Sequence, residues 1–314
     1  MSLRLAILCP GQGAQHAGMF DLLREDPVAS AFLTQSDLSS HLQAAVETVL
    51  NDPAQLYANR NAQPLIVAAQ LAAWQALREP LDALAGAPLV VAGYSVGELA
   101  AYAVAGVIDP AETVALAARR AAAMTEAASA QREQGLMAIG GLPLAVAQEC
   151  LARHGGYVAI VTGEDTLIAG GTGKALQAAA DELAAAGART SSLPVGLASH
   201  TPLMQAATDL FAAELAALQL RSPGPALLAG VTGQAIADAA QARTLLVRQL
   251  VAPIQWAGCM DAMAERGVTV ALELGPGAAL SRMLRERHPQ MACRSLADFR
   301  SLSGALAWLR RQTD

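Results

Sequence analysis

The residues with the clearest capacity for chemistry lie in VAGYSVGELAAY, residues 91 to 102. Gly93-Tyr94-Ser95-Val96-Gly97 fits G-x-S-x-G, in which the glycines permit a sharp strand-to-helix turn and the hydroxyl is held out at the head of a helix. A serine so placed is a nucleophile if a base lies within reach. Amides at the helix start, that of Val96 included, can stabilise an oxyanion, because the first turn has unpaired donors and the positive end of the helix dipole. The pattern is common, however, and a small residue between two turn glycines satisfies it equally well.

Five histidines are candidate bases: His16, His41, His154, His200 and His288. His200 lies in LPVGLASHTPLM, after a predicted strand and before a helix that Pro202 can start, a placement suited to an active-site loop. His41 and His154 read as helix-surface residues, His288 sits in an arginine-rich exposed stretch, and His16 follows a glycine turn. Arg119 and Arg120 fall on an alanine-rich helix, where either can be solvated or can grip an anion. PGQG near the N-terminus and GGTGK (170 to 174) lack the spacings of phosphate loops. GGTGK reads as a strand-to-helix connection with Lys174 exposed, and the GPG of ELGPG as a plain turn.

The elements that must position these groups alternate short apolar runs with alanine-rich helical stretches, the pattern of an α/β protein with a largely parallel sheet. LRLAILC predicts a first strand, APLVVAG a strand leading into the serine, and GELAAYAVAGV a helix after it. A long helix is expected to start at Pro64 of NAQP. Residues 135 to 195 read as strand (GLMAIG), helix (PLAVAQECLARHG), strand (YVAIVT), strand (TLIAGG), helix (KALQAAADELAAAG) and strand (ARTSSLPV). That order is the split βαββαβ unit. The expected architecture is therefore a large α/β-hydrolase-like domain with a parallel sheet (1–128 and 198–314) and a small inserted ferredoxin-like subdomain (129–197).

With 314 residues, 54% hydrophobic and 15% charged, the chain can bury one large core or two unequal ones. No membrane-spanning apolar stretch or signal peptide is evident, which predicts a cytoplasmic protein. Four scattered cysteines, Cys9, Cys150, Cys259 and Cys293, argue against a metal site and a disulfide framework. A net charge of −6 gives no general attraction for nucleic acid or anionic membrane.

GQGAQ, NAQP, GYSVGELAAY, LAARRAAAM, LPVGLASH, LVRQLVAPIQW and ELGPG occur in this order over roughly residues 5 to 282. In these motifs the chain resembles the malonyl-CoA:acyl carrier protein transacylases, including specialised members such as trans-acting polyketide acyltransferases and the carrier-charging subunit of malonate decarboxylase. The resemblance implies that Ser95 takes an acyl group from coenzyme A and that His200 activates it. It further implies that a main-chain carbonyl, matched here to Gln255 of PIQW, orients the histidine, and that the amides of Gln12 and Val96 form the oxyanion hole. Arg120 matches the arginine that grips the free malonyl carboxylate, in keeping with the bidentate fit of guanidinium to carboxylate. Gln63 matches a residue lining the same pocket. No cofactor is implied beyond coenzyme A as the leaving carrier. The implied partners are malonyl-CoA and an acyl carrier protein, and the implied state is a monomer.

Three positions depart from the family pattern. Tyr94 stands where a histidine is usual, so the pocket wall or the packing beneath the serine differs. Ser199 precedes the base, as in many fatty-acid-synthesis members, whereas many malonyl-selective polyketide domains have phenylalanine there. Val161 replaces a frequent asparagine. These departures keep methylmalonyl open as the acyl group, and a thioester hydrolase using the same Ser95 and His200 remains the alternative activity. Candidate carrier-protein docks are SRMLRERHPQMACR, with Arg282, Arg285, Arg287 and Arg294, and the region of Arg132.

Overall fold

A computed structural model describes residues 3–86, 88–129 and 133–313. Its centre is a parallel sheet formed by β1 (Leu5–Cys9), β2 (Val90–Gly93), β7 (Ala226–Leu228), β9 (Val270–Glu273) and β10 (Ala292–Ser295), in the order β10-β9-β1-β2-β7. β1 is apolar at every position because helices cover both faces of the sheet. Leu5, Ile7 and Cys9 enter one core, Ala6 and Leu8 the other, as the two-residue period of a strand requires. Removing a side chain such as Ile7 or Leu8 completely from water contributes about 1.5–3 kcal/mol.

This order reverses at β1, with β2 on one side and β9 on the other, so the carboxyl ends of the strands carry the crevice expected at a topological switch. Cys9 pairs with Gly93 at the ends of β1 and β2, which brings the PGQG turn and the Ser95 turn side by side.

A second sheet, β6-β3-β5-β4-β8, comprises β3 (Gln134–Gly140), β4 (Tyr157–Val161), β5 (Thr166–Thr172), β6 (Arg189–Ser192) and β8 (Ile254–Gln255). Its first four strands pair antiparallel, and helices Leu144–His154 and Gly173–Ala185 complete the βαββαβ order. Met137, Ile139, Leu151, Leu167 and Leu183 form its own core. β8 adds in parallel to β4, so the distant PIQW segment stitches the two sheets together.

The long helix differs from expectation at its start. It spans Asn59–Ala85 with Pro64 inside, because the Ala58 carbonyl already accepts from the Asn61 and Ala62 amides. Pro202 does open a helical turn, a 3-10 segment capped by Thr201 that leads into Gln205–Ala216. GGTGK joins β5 to the helix Gly173–Ala185, with Thr172 as cap and Lys174 exposed.

Gly93 and Gly97 leave no room for a side chain: a Cβ on Gly93 would overlap the Glu98 backbone, and one on Gly97 the Cys9 carbonyl. Gly97→Ala is therefore expected to lower unfolding stability by about 3 kcal/mol, the effect of overpacking against rigid backbone. Urea unfolding checks this, and an unchanged midpoint would contradict the packing described.

Candidate active site

The turn from β2 into the helix Gly97–Val104 places Ser95 at φ 55, a left-handed conformation costly for a residue with a Cβ. His200, at the end of the loop leaving β6, has φ 63. The Gly97 and Glu98 amides bond back to the Tyr94 and Ser95 carbonyls, and the His200 amide donates to Leu250 O at 2.9 Å, so hydrogen bonds hold both turns. The result is a 2.8 Å contact between Ser95 Oγ and His200 Nε2.

His200 Nδ1 lies 2.6 Å from the Gln249 carbonyl oxygen. A carbonyl only accepts, so Nδ1 carries the proton and Nε2 presents its lone pair to Ser95. The orienting carbonyl is thus that of Gln249, not Gln255. Gln255 lies in β8, where its amide donates to Gly230 O and it pairs with Val161. This strand pairing carries it into the second sheet, whereas Gln249 follows the helix Ala239–Arg248 and faces His200.

Arg120, on the helix Pro110–Ser129, is 1% exposed. Its Nη1 donates to Gln63 Oε1 at 2.7 Å and its Nη2 to Gln249 Oε1 at 2.8 Å, while Nε has no hydrogen-bond partner among the described residues. Gln63 is held in turn by donating to Asn59 Oδ1 at 2.7 Å. Burial pulls Arg120 down to about 10, with the Glu98 charge acting in the opposite sense. A guanidinium this deep, capped by neutral amide oxygens, retains donors for an incoming carboxylate.

Glu98 was not singled out in the sequence, nor was Gln249. Glu98 is fully buried; its carboxylate accepts from Gln249 Nε2 at 2.5 Å and from the Gly230 amide at 3.1 Å. Burial pushes it up to about 7, against the pull of those two hydrogen bonds and of Arg120. The available signal was a lone acid in an otherwise apolar helix, since a buried charge requires partners. Arg119, beside Arg120, turns outward to pair with Glu214 at 3.0 Å.

Gln12 and Val96 flank the serine on the two adjacent turns. Neither of their amides has a hydrogen-bond partner among the described residues. The turns meet closely: a Cβ on Gly11 would come 2.8 Å from the Tyr94 carbonyl oxygen and 3.5 Å from Ser95 Cβ. Tyr94 makes packing contacts beneath the turn, its ring edge-on to Trp256 with centroids 5.4 Å apart. Ser199 is buried next to the base.

Most of the proposed basic dock is used internally. Arg287 makes two hydrogen bonds to Asp261, Arg294 bonds the Asp298 carbonyl and stacks on Phe299, and Arg285 reaches the Cys293 carbonyl. Only Arg282 of the four is without a partner among the described residues, and Arg132 lies outside them. Away from the site, Cys150, His154 and Glu182 gather within metal-ligand reach of one another, but Arg153 and His154 already bond the Glu182 carboxylate.

A serine on a strained turn, a neutral histidine held by a carbonyl, and a buried arginine define a serine acyltransferase site on a two-sheet α/β scaffold. The chain belongs to the acyl transferase domain family, which it matches over residues 7–300. It is 34% identical over 302 residues to the malonyl CoA-acyl carrier protein transacylase of Mycobacterium tuberculosis, covering 95% of this chain and 99% of that protein. The structure of the malonyl CoA-acyl carrier protein transacylase from Coxiella burnetii superposes with a TM-score of 0.90 at 28% identity, covering 100% of this chain and 99% of that one. A malonyl-transacylase solved with its type II polyketide acyl-carrier protein superposes with a TM-score of 0.88 at 28% identity, covering 97% and 99% of the two chains.

Burial, the Arg120 charge second, drives His200 down to about 3 against the opposing pull of the Gln249 carbonyl. The folded state therefore binds fewer protons here than the unfolded chain, so this group's contribution to stability is present above its ordinary value of 6.5 and is lost as pH falls toward 3. NMR of labelled histidine is expected to show a neutral His200 ring, protonated at Nδ1, from pH 8 down to pH 5. Formation of the imidazolium near pH 6.5 would contradict the site as described.

Proposed function

We propose that Ser95, His200 and Arg120 carry a two-step acyl transfer, and the observation that bears most weight is the buried Arg120 beside an aligned Ser95–His200 pair. The protein moves a malonyl group from coenzyme A to the pantetheine thiol of an acyl carrier protein. His200 Nε2 takes the Ser95 proton as Oγ attacks the thioester carbonyl, and the amides of Gln12 and Val96 receive the oxyanion. The carbon–sulfur bond breaks and the histidine returns the proton to the leaving coenzyme A sulfur. In the second half the carrier thiol gives its proton to His200 and attacks the Ser95 ester. Ser95 Oγ then leaves and recovers that proton.

Arg120 selects the acyl group by pairing with its free carboxylate, which an acetyl group lacks. The pairing has a second consequence. Because the Arg120 charge helps depress His200, a carboxylate on Arg120 relieves that effect and strengthens the base when the correct substrate is present. Gln63 and Gln249 hold the guanidinium by one Nη each, Tyr94 packs edge-on to Trp256 beside the serine turn, and Ser199 is buried next to the base. The reaction as written needs no dissociable cofactor. The four cysteines are unpaired and buried, which fits a cytoplasmic location.

Intact mass after exposure to malonyl- and acetyl-coenzyme A tests this reading. Wild-type protein should gain a malonyl adduct that moves to added carrier protein, and Ser95→Ala should gain none. Arg120→Ala should lose on the order of a hundredfold in malonyl acylation, as expected for a buried charge-assisted pair. Release of coenzyme A without a transferable adduct would instead identify a hydrolase.

A further inference from the structure

Glu98 has no role in the transfer as written, yet it is a fully buried carboxylate on the first turn of the helix that follows the nucleophile. Both oxygens meet donors: Oε1 the Gly230 amide at 3.1 Å and Oε2 the Gln249 side-chain amide at 2.5 Å. Two donors facing the carboxyl favour its ionised form, against the burial that pushes it up to about 7. Gly230 is fitted to it, since a Cβ there would come 2.7 Å from Glu98 Oε2.

Gln249 has one donor end and one acceptor end. Its Nε2 serves two acceptors, Glu98 Oε2 and the Ser95 carbonyl at 2.9 Å, so its oxygen is turned to Arg120 Nη2 at 2.8 Å. The reversed amide would set oxygen against the carboxylate and the Ser95 carbonyl, and NH2 against the guanidinium, which is unfavourable at all three contacts. The main-chain carbonyl of the same residue holds His200 Nδ1. Glu98 also shares a field with Arg120: each favours the charged form of the other, while Tyr102 and Cys259 are pushed upward by burial first and by the Glu98 charge second.

We propose that Glu98 is a positioning residue for malonyl transfer, fixing the Gln249 side chain so that Arg120, the Ser95 turn and His200 keep one relative geometry. The proposal rests on the reading of Arg120 as the partner of the malonyl carboxylate. In Glu98→Gln the single amide oxygen can satisfy only one of the two donors, Gly230 or Gln249, and the negative charge is lost. Gln249→Met removes the side-chain links and keeps the main-chain carbonyl for His200.

The test is steady-state transfer from malonyl- and acetyl-coenzyme A, with active sites counted by Ser95 acylation, so that a partly folded variant changes the count and not KM. Both variants are expected to raise KM for malonyl-coenzyme A about tenfold, leave KM for acetyl-coenzyme A unchanged and lower kcat for both severalfold. Glu273→Gln is the control. Glu273 is equally buried and accepts from the Ser281 amide at 2.7 Å and the Leu280 amide at 3.3 Å outside this network, so its variant should keep both KM values within about twofold. A folded Glu98→Gln or Gln249→Met with wild-type malonyl KM and wild-type malonyl-to-acetyl preference would overturn the proposal. So would the failure of both variants to yield any folded protein, since that assigns Glu98 to the fold alone. Arg120→Ala separates the two levels: if it keeps the malonyl preference, the reading of Arg120 fails, and if it loses that preference while Glu98→Gln does not, only the Glu98 proposal fails.

Discussion

Arg120 carries its charge at 1% exposure, and the contacts that cap it are the amide oxygens of Gln63 and Gln249 rather than a carboxylate. An ion withdrawn from water in this way is tolerable only when hydrogen bonds surround it and a compensating charge is near. Glu98 supplies that charge one residue further, through Gln249. A guanidinium capped by two amide oxygens keeps N–H donors for an anion, and this is the basis of the proposed preference for an acyl group with a free carboxylate. Burial, with the Arg120 charge second, holds His200 well below its ordinary value, so the ring stays neutral and able to accept a proton.

Two of the four described non-glycine residues with positive φ sit where the chemistry is; the other two, Asp37 and Gln43, flank the short helix Leu38–Leu42. Ser95 and His200 both lie in the left-handed region, and both are non-glycine residues. Each is held by elements that cannot relax: Ser95 by Gly93 and Gly97, pressed against backbone on both sides, and His200 by its own amide bond to Leu250 and its ring bond to Gln249. The parallel sheet fixes the first, since β1 and β2 end in register. The loop from the second sheet delivers the other. Catalytic geometry thus depends on contact between the two sheets, which share a buried cluster in which Leu136, Ala159 and Ile160 pack with Ala6, Leu8 and Val90.

Much of this was legible in the residues themselves. A short continuous apolar run such as LAILC, ended by a glycine turn, reads as a strand covered on both faces, and the alternation in 135 to 195 yields the βαββαβ order directly. The Ser95 turn was legible because only glycine fits beside it. Other features were hidden for physical reasons. Which main-chain carbonyl orients His200 does not depend on residue type, so Gln255 and Gln249, six positions apart in one motif, were not distinguishable by composition. Pro64 lies inside its helix because an upstream carbonyl had already begun the turn. Glu98 is a lone acid in an apolar helix, which marks it as unusual but does not say that its partners are Gly230 and Gln249, and Arg287 and Arg294 look free until Asp261, Asp298 and Phe299 fold against them.

The most direct measurement is a crystal structure of the Ser95 malonyl ester, trapped from malonyl-coenzyme A in the absence of carrier protein. The account predicts the ester oxygen at the amides of Gln12 and Val96 and the free carboxylate in two hydrogen bonds to the Arg120 guanidinium, with Gln249 still bridging that arginine to Glu98. A malonyl carboxylate turned to solvent, with Arg120 contacting only Gln63 and Gln249, would contradict it.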